Sequence, residues 1–269
     1  MDLLEHAPIW LIGLLLFATL MAANEFGFRA ARVMFPEGQR AEGIGTTVAS
    51  VMALLSLMLA FTFGAAQDRY NTRREFLVDE ADAIGTAYLR IQLLEQPWRG
   101  ALGAQMLPYA QARAEFQKAT SDPGRLADNN ARTEAQQHAI WTSVKAAVRD
   151  NSAPSLNSPV MQAVNDMFDA ASQRFAANES RVPMTILYML LLYATVAAFL
   201  VGMSGGARRR FIYVSGAQLL LLTLAFCLIL TLDRPSASRV TISEASMIRV
   251  VAYIRQGEAA ASSETPPAR

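Results

Sequence analysis

Cysteine and lysine are nearly missing from this chain, and histidine is scarce. Cys227 is the single cysteine and lies inside an apolar run, so a disulfide within the chain is excluded and packing is the role left to it. His6 and His138 are far apart and have no cysteine neighbours, so no metal or nucleophile constellation forms around them. Lysine occurs only at Lys118 and Lys145, which leaves nearly all positive charge on arginine, a compositional bias more than a functional signal. Phosphate-cradling glycine loops, the HExxH pattern and the nucleophile elbow are also absent. No catalytic residue, metal ligand or cofactor is assigned, and the chain is read as a non-enzyme. A formal net charge of +1, with no basic stripe or aromatic platform, gives no reason to expect nucleic acid as a partner.

What is present is hydrophobic length. Apolar residues make up 52% of the 269 positions and charged residues 17%, too apolar for a soluble chain and too charged for one embedded throughout. The chain must divide itself between two solvents. Four apolar segments are read as spans of a bilayer, which takes roughly 20 residues of helix: a shorter one from Ile9 to about Ala23, then about Ile44 to Ala66, Pro183 to Met203, and Phe211 to Leu232. Ahead of the first stand Asp2 and Glu5 without any Lys or Arg, and no A-x-A cleavage site is evident, so it is read as a retained helix with Trp10 as an interfacial anchor. Pro183 suits the first turn of the third span, Gly202, Gly205 and Gly206 are read as ending it, and Asp233-Arg234-Pro235 stops the fourth.

The expected fold is therefore an all-α membrane protein, with four transmembrane helices and a helical soluble domain between the second and third. Its divisions are residues 1–66 for the first helix pair, 67–182 for the soluble domain, 183–235 for the second pair and 236–269 for a polar tail, partly disordered from Gln256 onward. In the soluble domain Tyr70, Leu77, Ile84 and Ile91 recur every seven residues, with Ala81 and Tyr88 between them, giving an apolar seam along one long helix. Further helical patterns cover about Ala101 to Ala119, Arg132 to Val148 and Pro159 to Ala177, separated by Asp122-Pro123-Gly124 and a Ser/Pro-rich stretch. Asp79, Glu80 and Asp82 sit beside the seam and are read as a solvated face, because a hard-cation site needs oxygens converging from a tight loop. Strand-like alternation is confined to Arg239-Val240-Thr241-Ile242.

Orientation divides the argument. Arg29, Arg32, Arg40 and Arg208 to Arg210 lie in or beside the two short loops, which the positive-inside rule would place in the cytoplasm. Arg69, Arg73, Arg74, Arg174, Arg181, Arg234 and Arg239 crowd the other side.

The second span carries the most specific pattern. From Leu59 to Arg74, LAFTFGAAQDRYNTRR takes one helix from an apolar stretch directly into a charged extension with Asp68, Arg69, Arg73 and Arg74. Ala53, Leu57 and Phe61 are four residues apart and share a face. Several copies of this helix around an axis would enclose a narrow apolar collar of the kind that gates by dewetting. Packing of the same three residues against the other spans is the alternative. Thr46, Thr47, Ser50, Ser56 and Thr62 would supply a modest polar lining.

Leu59-Ala60-Phe61, followed by Asp68-Arg69-Tyr70 and Arg74, is similar to the end of the second membrane helix of bestrophin anion channels. The wider chain resembles the bacterial bestrophin-like domain family through Glu25 to Arg29, Val78 to Arg90, Arg181-Val182-Pro183 and Leu232 to Pro235. This resemblance implies a homo-oligomer, a pentamer, in a bacterial cytoplasmic membrane, with second helices lining a path for inorganic anions and Ala53, Leu57 and Phe61 at the apolar neck. Alanine at Ala53 departs from the bestrophin pattern toward a wider collar, and the acidic calcium clasp of animal bestrophins has no counterpart, so calcium gating is not carried over. Bestrophin topology would put the soluble region in the cytoplasm, against the short-loop arginine count. The competing class is a membrane-anchored structural or sensory protein that binds a partner through its helical domain. The bilayer itself is a partner in both.

Overall fold

The computed structural model describes residues 8–34, 43–150, 154–204, 212–234 and 243–264. Eight helices are described: α1 (Ile9–Met34), α2 (Ile44–Ile91), α3 (Trp98–Ala119), α4 (Pro123–Asp150), α5 (Pro154–Glu179), α6 (Met184–Ser204), α7 (Ile212–Asp233) and α8 (Ala245–Glu264). Among the described residues there is no strand, and four helices are long and apolar enough to cross a membrane. The expected strand-like segment Arg239 to Ile242, the stop at Pro235 and the loop residues Arg40, Gly205, Gly206 and Arg208 to Arg210 lie outside the described residues.

The chain forms two compact units, one from residues Met1–Tyr70 and Arg181–Thr241, the other from Asn71–Ser180 and Ile242–Arg269. Helix α2 is unbroken where the first unit gives way to the second. No proline or glycine pair interrupts it, and its one β-branched run, Thr46-Thr47-Val48, stands in the first turns, so nothing in the sequence stops it near Ala66.

In the first unit α1 packs on α6 and α7. Leu16, Leu20, Leu55, Leu190, Ala194, Ala197, Ala198, Leu219 and Ile229 form its core. The α1 and α6 backbones meet at two glycines. A Cβ on Gly27 would stand 1.9 Å from the Phe199 carbonyl oxygen, and one on Gly202 would stand 2.0 Å from the Asn24 carbonyl oxygen. Gly202 therefore lies inside α6 as a packing residue and not as the terminator its sequence position suggests. Asn24 reinforces the crossing, its Nδ2 donating to the Ala198 carbonyl at 3.3 Å. Thr62, Thr195, Thr223 and Thr231 donate their hydroxyls to the carbonyl four residues earlier, so these polar groups are satisfied within their own helices.

The second unit is built on the seam. Leu77, Ala81, Ile84, Tyr88 and Ile91 are each at most 3% exposed, and all but Leu77 join a core with Leu102, Met106, Tyr109, Ile140, Val144, Val164 and Met167. Burying one such aliphatic side chain contributes about 1.5–3 kcal/mol, which is why the heptad spacing dictates the face. Asp122 and Pro123 start α4: the Asp122 Oδ1 accepts from Gly124 N at 2.8 Å and from Arg125 N at 3.3 Å, and proline occupies a first-turn position that has no amide bond to lose.

The C-terminal segment departs from the expected polar tail. Residues Ala245–Glu264 form α8, which packs against α3. Met247, Val250, Val251 and Ile254 follow an i, i+3, i+4, i+7 pattern, and Met247 and Ile254 are fully buried. Polar and small residues elsewhere in the helix dilute that stripe in the composition. They do not remove it.

Candidate functional site on the second helix

One face of α2 has no partner among the described residues. Leu57 is 51% exposed and Phe61 71%, Ala53 is exposed beside them, and Leu54 adds to the same surface. Leu55, two residues from Leu57, is 1% exposed and belongs to the core of the first unit. The helix thus has a packed side and a bare apolar side, and the three expected collar residues are all on the bare one. Among the described residues, none of these three side chains joins the core of the first unit.

The hydroxyls along the span are mostly internally bonded. Thr47 donates to the Gly43 carbonyl at 3.1 Å, Ser50 to Thr46 at 3.0 Å and Ser56 to Met52 at 2.8 Å. Their protons are engaged, and the oxygens retain acceptor capacity only. Any anion on this face would meet apolar side chains before it met a hydroxyl donor.

Beyond Ala66 the charged extension separates into different roles. Asp68 and Arg74 are exposed, and Arg69 is half-buried with Nη1 donating to the Ala65 carbonyl at 3.0 Å. Arg73 is buried, its Nε donating to the Ala177 carbonyl at 3.2 Å and its Nη2 to the Ser180 carbonyl at 2.5 Å. These carbonyls close the C-terminal end of α5, where a cation also complements the helix dipole. Arg73 is therefore a helix cap and leaves the surface-charge set in which the sequence placed it.

The acidic group also divides. Asp79 and Asp82 are exposed, whereas Glu80 is completely buried. Arg113 Nε donates to Glu80 Oε1, and Arg174 Nη1 donates to Glu80 Oε2 at 2.7 Å and to the Arg113 carbonyl at 3.2 Å. Both guanidinium groups also lie over the Phe116 ring, at 4.7 and 5.0 Å. Burial lowers the Arg174 pKa from its ordinary value, and the Glu80 carboxylate opposes that shift. The solvated-face reading fails for Glu80 because it stands three residues after Leu77 and four before Ile84, on the seam itself. That spacing was the available signal. At the far end of the seam Tyr88 donates to Glu258 Oε1 of α8 at 3.1 Å, and burial together with this bond pushes its pKa up to about 12. Among the described residues no group of three His, Cys, Asp or Glu side chains could hold a metal.

A family model described as the Bestrophin-like domain matches residues 15–247. A crystal structure of a single-residue variant of a bacterial bestrophin homologue from Klebsiella pneumoniae is similar to this chain over 94% of its length and 99% of the homologue's, at 10% identity and a TM-score of 0.74. Another crystal structure of the Klebsiella homologue gives 10% identity, 94% and 98% coverage and a TM-score of 0.67. A crystal structure of a membrane protein variant gives 11% identity, 93% and 98% coverage and a TM-score of 0.68. At such identities the likeness is one of fold. No curated protein sequence matches the chain.

Proposed function

The chain belongs to the Bestrophin-like domain family of membrane proteins, and from that premise we propose that it is an oligomeric anion channel whose α2 helices surround the ion path. The observation that carries the reading is the bare apolar face of α2. Leu57 and Phe61 are more than half exposed while Leu55 is buried, so the helix keeps an apolar stripe that no described residue covers and that further copies of the chain would bury. Copies arranged around an axis, five by the resemblance, would turn Ala53, Leu57 and Phe61 into an apolar collar that controls hydration. Arg69 and Arg74 beyond it would form positive rings that favour anions. Arg73, engaged with the end of α5, would not contribute to them.

Flux through reconstituted vesicles tests this. Phe61→Ala should wet the constriction and raise anion flux, and Arg69→Glu should shift selectivity away from chloride. No flux above empty vesicles in wild type or either variant, with folded oligomer confirmed, would remove the channel and leave an anchored protein that works through its helical unit.

A further inference from the structure

Glu80 divides one carboxylate between two arginines, and this leaves donor capacity at the edge of the cluster. Arg113 Nη2 is buried and has no hydrogen-bond partner among the described residues, although Nε of the same guanidinium is held by Glu80. Arg174 Nη2 is buried without a partner in the same way, but of the two arginines it is Arg113 that lines a cleft. A buried guanidinium N–H without an acceptor is costly, so a group that supplies one gains free energy on binding.

Arg113 lines a cleft of about 210 Å³ in the helical unit, together with Asn130, Thr133, Glu134, Gln137 and Ser172. That space is far larger than the roughly 10–15 Å³ a single water needs. Thr133 and Ser172 donate their hydroxyls to the Asn129 and Phe168 carbonyls, which leaves the side-chain amides of Asn130 and Gln137 as the neutral donors beside Arg113. Gln137 holds the Tyr109 hydroxyl only at 3.4 Å. Glu134, exposed on the same wall, sets the charge limit: a dianion would meet its carboxylate, a monoanion would not be outweighed.

We propose that this cleft is a binding site for a small monovalent carboxylate, held by Arg113 and the Asn130 and Gln137 amides. The site lies wholly within the helical unit and does not depend on conduction by α2.

Sodium acetate is the probe, titrated against the full-length protein in detergent with sodium chloride adjusted to constant ionic strength. Expected are a saturable rise of the thermal midpoint and saturation transfer to the acetate methyl signal. Ser172→Trp, which fills the cleft from an exposed position, should weaken apparent affinity about tenfold, and Glu134→Gln should tighten it about threefold. Absence of both signals in the wild type overturns the site. So does an affinity unchanged by Ser172→Trp in protein shown to be folded. If that variant does not fold, an unchanged affinity in Glu134→Gln is the overturning result.

Discussion

Arg174 donates to Glu80 Oε2 across 2.7 Å at a point where neither side chain is more than 3% exposed. With Arg113 on the other carboxylate oxygen, the pair ties α2, α3 and α5 through a single buried anion. Glu80→Ala would leave two guanidinium groups without it. Removing one partner of a buried ion pair costs about 3–5 kcal/mol, a large part of the 5–15 kcal/mol that a domain possesses. The expected result is a sharply lower melting midpoint or loss of folded protein. Asp79→Ala and Asp82→Ala, on the exposed side of the same helix, should stay within about 0.5 kcal/mol of wild type. Thermal unfolding followed by circular dichroism distinguishes the three, and equal midpoints would show that Glu80 is solvated.

The contact between α1 and α6 predicts an asymmetry of another kind. Gly27→Ala and Gly202→Ala each place a methyl group against a backbone carbonyl, which cannot rotate aside as a side chain can. The helices must separate, and overpacking of this type costs about 1–3 kcal/mol. Gly64→Ala should be neutral or slightly stabilising, because a Cβ there meets nothing within 4 Å and alanine favours the helix. A Gly27→Ala protein as stable as the Gly64→Ala protein would mean that the close approach is not present in the membrane.

Tyr109 makes the helical unit sensitive to base. Burial pushes its pKa up to about 12, from about 10 in an unfolded chain. Below pH 10 the phenol is protonated in both states and its contribution is intact. As pH rises from 10 toward 12 the unfolded chain releases the proton first, so stability falls through that window, by about 1–3 kcal/mol. Tyr109→Phe keeps the ring against Phe168 and removes the titration. Its midpoint should decline less steeply between pH 10 and 11.5 than that of wild type, and parallel curves would exclude Tyr109 as the cause.

The parts of this fold that sequence exposes are those set by local spacing. Continuous apolar runs marked the spans, and the recurrence of Leu77, Ile84 and Ile91 marked the buried face of α2, because burial of a helix face is a property of neighbours three and four residues away. The parts that escaped depend on distant partners. Glu80 stood on the seam in plain view, but the arginines that neutralise it lie 33 and 94 positions further along. Arg73 looked like surface charge because its partners, at the end of α5, are over a hundred positions away. Gly202 looked like a helix end because a glycine that terminates and one that admits a neighbouring backbone have the same sequence signature. In α8, four apolar residues among small and polar ones were enough to fold a helix onto α3, although the composition of the segment suggested none.

Leu55 and Phe61 bring the candidate pore face down to a direct comparison on one helix. Leu55 is 1% exposed in the core of the first unit, and Phe61 is 71% exposed on the opposite, bare side. Truncating a buried leucine to alanine leaves a cavity and costs about 2–5 kcal/mol. Phe61→Ala removes a larger side chain but opens no cavity within the chain, so in a dissociated protomer it should change stability by less than about 0.5 kcal/mol. In an assembled collar the outcome reverses for Phe61, since neighbouring copies are then its only packing partners. Thermal unfolding of Leu55→Ala and Phe61→Ala, run on both dissociated and assembled fractions in detergent, separates the cases. A large loss for Phe61→Ala confined to the assembled fraction supports self-association along this face, whereas equal small losses in both fractions would assign the stripe to lipid.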